Sequence, residues 1–565
     1  MDSDGPSRQA SVAEYVINEF QAVAKILLEK ATPQVPLYAT PEYARYDKLL
    51  KCLRLVGKAN VPAVFDALWA WRARMEERLS GVVDTISIQC RRAVIECTLM
   101  ETCLQLLEEL PPPCSSVLGK GAEELERLAF SLAISAEQII SRPEAGQHLQ
   151  RVVALSSHVI GALARGRLEA VSAMFFRMLE NRIHSESTTH RQEIIALCAA
   201  MKHVRLSFDS EHEMAAAVNF LQHANPLRHA NIPMKKSQVH HALASMLSSI
   251  LLPLVVADVP RRGAEHVRVH LDKWFKTVAT IEKSTTDWAV KKSKHVQDGY
   301  PLMTYLVCLE EDATFFQTSN RLVKKLHKQL RLKECRALTI DCLIQCIQCW
   351  LHRSSQARSG AVESKHMWLE RVCKPVTSSV KKGFLTTTEQ QDLVVKMCLV
   401  ICDVAPDFAV EHIILGLLEC DSVEGVTTGL RALMEMLLFE AQKLRGAKPS
   451  SPFRTPTLRA SLDRHELEAQ LLSYVAGGNH ALKLLGLSNA ISVVTERVGD
   501  LMDTYRHQFG NMALTNNPKS FPDMQTKDLM SGINAFCWAL RLVPYIVPQC
   551  LMRDGLAEVL PLSVP

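Results

Sequence analysis

The sequence predicts an all-α protein, a HEAT/armadillo-like α-solenoid of stacked antiparallel helix pairs, on three observations. Apolar residues recur at three- and four-residue spacings along most of the chain, and period-two runs bounded by turn residues are almost absent. Proline, glycine and asparagine punctuate stretches of roughly 18 residues, so that two amphipathic helices fill each unit of roughly 40 residues. Aromatic residues make up 6% of the 565 positions and glycine 23 of them, a mix that suits helices better than sandwich strands. Length explains why the pairs must stack. Single cores stop growing at roughly 250–300 residues, and a helix pair cannot bury its apolar face alone, so neighbours share a continuous core.

The first helix runs from Ser11 to Ala31 and is ended by Pro33, Pro36 and Pro41. Pro41 opens the second, where its missing N–H costs little, and Tyr43, Tyr46, Leu49, Leu50 and Leu53 form the apolar face. Asn60-Val61-Pro62 starts a third through Phe65, Leu68, Trp69 and Trp71. A long helix from Thr85 to Leu110 stops at Pro111-Pro112-Pro113. Helices from Gly121 to Ile140 and from Ala145 to Arg165 follow, then a short one through Met174, Phe175 and Leu179. The helix from His190 to Leu206 pairs with that from Glu211 to His223. The stretch from Ala224 to Val256 is a turn, two lysines and a helix with the stripe Val239, Leu243, Met246, Ile250 and Leu254. Pro253 is expected to end or kink it. Then come helices from Ala264 to Ile281 and Thr286 to Val296, and a Gly299-Tyr300-Pro301 turn before a helix to Leu309. Helices from Arg321 to Leu332, Glu334 to His352, Val362 to Lys382, Glu389 to Val404 and Pro406 to Leu418 complete the run.

Residues 1–440 therefore read as one array. Residues 441–460, AQKLRGAKPSSPFRTPTLRA, read as an exposed proline-rich basic loop, with Ser451-Pro452 and Thr455-Pro456 as candidate sites for proline-directed kinases. Residues 461–565 return to helical repeats, from Leu458 to Val475 and Ala481 to Phe509, and are apolar up to the terminus. The last repeat of a solenoid needs a polar outer face. Its lack here predicts that the end docks back on the array, or that the chain is part of something longer.

Net charge is only +5, but it is uneven: from Arg261 to Arg336, 16 Lys/Arg face 9 Asp/Glu. No reading motif for nucleic acid accompanies this excess, which fits a surface for an acidic partner better. Seventeen cysteines could suggest disulfides, yet Cys335, Cys342, Cys346 and Cys349 share roughly one helix face, and Cys398 and Cys402 lie four apart. Residues on one face of one helix bridge poorly, so reduced, buried thiols of a cytosolic protein are expected. The first ten residues hold no apolar run, and the longest run, near Ile250, is about eight residues and short of a span, so neither secretion nor a transmembrane segment is expected.

Phosphate loops, dinucleotide-binding glycine motifs, nucleophile elbows and H-E-x-x-H are all absent, and no catalytic residue, cofactor site or metal site emerges. His240 and His241 point about 100° apart on a helix, which gives one histidine at the core edge and one at the surface rather than a metal pair. On the helix from Arg321 to Leu332, the cations Arg321, Lys324, Lys325, Lys328 and Arg331 oppose Leu322, Val323, Leu326 and Leu330. Either they are the solvated side of a buried helix, or they form a docking face for an acidic protein together with Lys291, Lys292, Lys294, Arg261 and Arg262. Lys235 and Lys236 join the candidates because two cations before a helix N-terminus oppose the helix dipole and do not serve helix stability. A membrane-surface reading is weaker, since the apolar face is needed for stacking.

An ordered set of short matches resembles the N-terminal region of the Furry cell-morphogenesis proteins, the plant-type members most closely. It comprises Met201-Lys202 with Leu206, Asn225-Pro226-Leu227, Lys235-Lys236-Ser237, His240-His241-Ala242-Leu243 and Pro253. It continues through Lys294-His295, Gly299-Tyr300-Pro301-Leu302, Asp341-Cys342-Leu343, Asp407-Phe408-Ala409 and Gly429-Leu430-Arg431-Ala432-Leu433. The resemblance implies a large non-enzymatic scaffold that acts with an NDR-type kinase and its Mob co-activator in polarised growth and cell shape. It also implies actin- or microtubule-associated partners, and a place in the cytoplasm, at the cell cortex or at sites of polarised growth. Family members are far longer, and the tract after Ala441 matches poorly. The alternative is a solenoid adaptor or carrier of the transport-receptor or vesicle-coat kind.

Overall fold

A computed structural model describes residues 5–32, 40–82, 85–110, 120–135, 146–183, 187–225, 237–257, 268–356, 364–384, 387–444, 461–505 and 526–546. Every element among them is helical. Two compact units divide the chain, the first reaching Leu302 and the second starting at Met303, with Val255–Ala257 attached to the second.

The first unit begins with α1 (Gly5–Lys30), α2 (Pro41–Ala59), α3 (Val61–Leu79) and α4 (Ile86–Glu109). Side chains close the helix starts: Asn60 Oδ1 accepts from the Ala63 N–H at 3.3 Å and Thr85 Oγ1 from that of Ile88 at 3.4 Å. Next come α5 (Lys120–Ile134), α6 (Gly146–Ile183), α7 (Thr188–Ala200), α8 (Glu211–Ala224), α9 (Ser237–Ala257) and α10 (Arg268–Ala289). α1 packs on α2, α4 on α2 and α3, α6 on α4, α5 and α7, and α8 on α6 and α10. Each helix thus meets its nearest neighbours in sequence, which is how stacked pairs share a core. Arg151 of α6 donates to Tyr43 Oη at 2.7 Å and Glu101 Oε1 at 2.8 Å, tying α2, α4 and α6 with a partly buried charge.

α11 (Val296–Cys308) leads into the second unit. There follow α12 (Asp312–Gln329), α13 (Arg336–Gln356), α14 (Lys365–Lys381) and α15 (Thr388–Cys402). α16 is built of Pro406–Phe408, a π-helical Ala409–Ile414 and Leu415–Leu418. α17 (Val423–Leu444), α18 (Ser461–Ala476), α19 (Ile491–Tyr505) and α20 (Thr526–Ile546) end the described chain. One layer stacks α13, α15, α17 and α20 in sequence; the other links α14 to α16 and α16 to α19. This is the antiparallel-pair solenoid expected from the sequence. Trp350 of α13 and Trp368 of α14 stack at 4.3 Å with planes 5° apart, both fully buried.

Several boundaries differ from the expectations. α9 continues through Pro253 to Ala257, because Leu254 and Val255 are buried apolar positions that hold the last turn. α9 is also longer than its apolar run suggested: Gln238–Ala257, with mean hydropathy 1.7, has the length and composition to cross a membrane. Its stripe of Val239, Leu243, Met246, Leu247, Ile250 and Leu251 is nevertheless wholly buried in the protein. The two helices expected between Ala264 and Val296 are one, α10. Its polar Ser284-Thr285-Thr286 step does not break it: Ser284 Oγ donates back to the Ile281 carbonyl at 3.0 Å and Thr286 Oγ1 to Glu282 at 2.8 Å. The two helices expected around residue 166 are present within α6 and meet without a loop at a kink at Arg167 (φ −140°, ψ 36°), whose guanidinium pairs with buried Glu126 of α5. Gly299-Tyr300-Pro301 is not a turn but lies within α11. The basic loop begins later than Ala441, which is buried in α17. Residues 445–460 and 547–565, which carry the candidate kinase sites and the apolar end, lie outside the described residues.

Candidate functional site

α12 is the most polarised described helix among the candidates. Phe315, Ser319, Leu322, Val323 and Leu326 are buried, while Arg321, Lys324, Lys328 and Arg331 are exposed and Lys325 is half-buried. None of these five cations has an ion-pair partner among the described residues. Glu311 and Asp312 start the helix, so its charge runs from acidic to basic along the axis, as the helix dipole favours. That field acts within the last turn only. It accounts for Lys328 and leaves Arg321, Lys324 and Lys325 without a role in helix stability.

The basic surface continues where the sequence alone did not point. Asn320 Oδ1 accepts from Trp368 Nε1 and from Arg371 Nη2, each at 2.8 Å, and His327 Nε2 sits 3.0 Å from the Val372 carbonyl. These bonds lay α14 beside α12. Burial holds His327 below the usual imidazole range, and Arg371 adds to that effect. α14 then adds exposed Arg371, Lys374 and Lys381, and exposed Lys382 follows at its C-cap. At the end of the pair, Arg336 Nε donates to the Leu330 carbonyl at 3.1 Å and Nη1 to that of Phe384, with the guanidinium 5.4 Å from the Phe384 ring centre. The turns after α12 and α14 are thereby joined. The seven-residue interval between Lys374 and Lys381 was a signal that both share a face; that this face lies beside α12 required the stacking register.

The remaining candidates belong to the first unit or lie outside the described residues. Lys291, Lys292 and Lys294 are exposed in the turn between α10 and α11. Lys235, Lys236, Arg261 and Arg262 are not among the described residues. The two α9 histidines differ from expectation: neither is at the surface, and both are half-buried against Trp288. His241 Nδ1 is 2.8 Å from Asp298 Oδ2, its ring meets Trp288 edge-on at 5.2 Å, and Trp288 stacks on His295 at 4.5 Å. His295 Nδ1 in turn reaches the Trp288 carbonyl at 2.8 Å. A Cβ on Gly299 would come within 2.7 Å of the Ala289 Cβ, so only glycine lets α11 approach α10 this closely. The residues form a packing clamp between α9, α10 and α11.

Among the described residues no group of three or more His, Cys, Asp or Glu could hold a metal ion. Burial pushes the Cys342 thiol up to about 12 and raises those of Cys346, Cys373 and Cys398, so the thiolates that chemistry would need are disfavoured. At the α6 bend a cleft of about 510 Å³ is lined by Arg165, Glu169, Arg205, His212 and Glu213, whose charges of both signs define no single ligand.

Stacked helix pairs with a one-sided basic surface define a helical-repeat protein. The chain matches the family described as cell morphogenesis N-terminal over residues 90–538, most of its length, and it belongs to that Furry-type family. A solved structure titled "Circular tandem repeat protein with novel repeat topology and enhanced subunit contact surfaces" aligns over 96% of this chain and 98% of that one. Identity is 13% and the TM-score is 0.19, a likeness on which nothing here rests.

Proposed function

We propose that the protein is a non-enzymatic scaffold for cell morphogenesis and polarised growth, which brings an NDR-type kinase and its Mob co-activator to the cytoskeleton at the cell cortex. Membership of the cell-morphogenesis family carries the reading. The cations of α12, unpaired among the described residues, support it, because an exposed charge row that helix stability does not require suits electrostatic recognition of an acidic partner. Docking would use Arg321, Lys324 and Lys328, with Arg371 and Lys374 beside them.

The test is affinity purification of the tagged chain from cells, wild type against Lys324→Glu with Lys328→Glu. The expected result is recovery of kinase and co-activator by the wild type and a loss of about tenfold in the variant, in line with steering by a charged surface. Repeated purification that yields transport cargo or coat subunits and no kinase would overturn the reading in favour of an adaptor.

A further inference from the structure

The ends of α12 and α14, where the basic surface above finishes, carry a second feature. The turn after α12 presents Arg331-Leu332-Lys333, with Leu332 40% exposed. The turn after α14 presents Lys381-Lys382-Gly383-Phe384, with Phe384 50% exposed. The backbone holds Phe384 out. Gly383 (φ 67°) closes α14 in the left-handed conformation, with its N–H on the Val380 carbonyl at 2.9 Å and the Phe384 N–H on that of Ser379 at 2.9 Å. This places Phe384 just beyond the helix, and Arg336 pins its carbonyl and ring from below. Because Arg336 also holds the Leu330 carbonyl, Leu332 and Phe384 stand on one rim. Arg331, Lys333, Lys381 and Lys382 surround them without an ion-pair partner among the described residues, against the single exposed Glu334. The rim ends at the turn after α16, where Glu419 and Asp421 are exposed.

We propose that this rim docks on an anionic lipid bilayer surface, Leu332 and Phe384 entering the headgroup region while Arg331, Lys333, Lys381 and Lys382 meet lipid phosphates and carboxylates. Three properties favour a bilayer over an acidic protein segment. The charges are mostly lysines, point charges on flexible stems that suit a diffuse field, whereas carboxylate side chains are best held by the arginine fork. The apolar groups project from turns instead of lining a groove. Apolar tips ringed by cations are the combination that anchors peripheral proteins, neither part sufficing alone. In the first unit the turn between α10 and α11 repeats the composition, with Val290 51% exposed beside Lys291 and Lys292.

The experiment is vesicle co-sedimentation of the full chain with phosphatidylcholine vesicles, with and without phosphatidylserine. Binding is expected only to the mixed vesicles and is expected to weaken with salt. Lys381→Glu with Lys382→Glu should reduce it about tenfold or more, since each cation near an anionic surface contributes and a reversal counts twice. Leu332→Ser with Phe384→Ser, all charges kept, should reduce it about fivefold or more through lost apolar insertion. Lys324→Glu with Lys328→Glu, farther from the rim on the helix face, should reduce it clearly less than Lys381→Glu with Lys382→Glu does, which separates this proposal from kinase docking. Circular dichroism confirms that each variant is folded. No binding to phosphatidylserine vesicles at low salt would overturn the proposal. So would binding that the serine pair leaves unchanged, or capture of polyglutamate with vesicles ignored.

Discussion

The clamp between α9, α10 and α11 and the rim of α12 and α14 are both built where one helix turns into the next, and they treat that place in opposite ways. In the clamp, polar side chains are turned inward: His241 bonds Asp298, His295 is buried under Trp288, and Gly299 is the contact point. In the rim, apolar side chains are turned outward, and the cations around them have no ion-pair partner among the described residues. The first arrangement exchanges solvent for packing. The second leaves packing aside and keeps a surface ready for a partner. His240-His241, Lys294-His295 and Gly299-Tyr300-Pro301, among the most distinctive words of the sequence, thus serve mainly the fold, while Lys-Lys-Gly-Phe at residues 381–384, unremarked in the sequence, is exposed to act.

The largest expected effect falls on the clamp. Gly299→Val forces atoms into Trp288 and Ala289, whose backbone cannot give way as a flexible chain end could. It should cost about 2–3 kcal/mol, the range of overpacked cores, read as a lower urea midpoint. By comparison, Gly383→Ala on the rim meets only an ordinary contact, Ser422 Oγ at 4.0 Å, but a left-handed φ, and should cost about 1 kcal/mol. Equal costs would mean that α11 does not approach α10 as described.

Next in size is a pH effect, largest at His203 in the first unit. Burial lowers His203 to about 4, with His158, whose ring lies 3.8 Å away, adding to it, and burial lowers His295 as well. A histidine depressed in the folded state stays neutral there while the unfolded chain takes up protons below about pH 6.5, so stability falls as pH drops below that value. For His203 the fall continues toward its folded pKa near 4 and should reach about 1–2 kcal/mol after allowance for its partial exposure. Urea midpoints at about pH 7.5 and about pH 4.5 measure it, and His203→Gln should lose much of the slope. An unchanged slope in that variant would place the acid sensitivity elsewhere.

Much of the fold was legible because helix periodicity and capping are local: Asn60, Thr85 and the stripe of α12 are each read within a few residues. Breakers were less reliable guides. Pro253, Gly299 and Pro301 sit inside helices because buried neighbours on both sides outweigh a missing N–H or a missing Cβ. The cations of α12 were legible as a face, but Arg371, Lys374, Lys381 and Lys382 join them only through helix stacking over some fifty residues of sequence, as the Asn320–Arg371 bond shows. Arg167 carries the bend of α6 because its partner, Glu126, lies on a different helix, and no local pattern announces such a pair.

The smallest expected effect tests whether the rim is one surface. Arg336 reaches two carbonyls and a ring at once, which only a planar guanidinium with several donors can do. Arg336→Lys keeps the charge and the stem but can serve one carbonyl at a time, so the turns at Leu332 and Phe384 lose their shared anchor. Stability should drop by about 0.5–1 kcal/mol, the net value of a hydrogen bond lost near the surface. Vesicle affinity should drop by about two- to threefold although net charge is unchanged, because two apolar tips held in register insert together while two free ones pay their ordering entropy separately. If Arg336→Lys binds vesicles as the wild type does, while Leu332→Ser with Phe384→Ser does not, the tips act independently. The rim would then be two small anchors and not one.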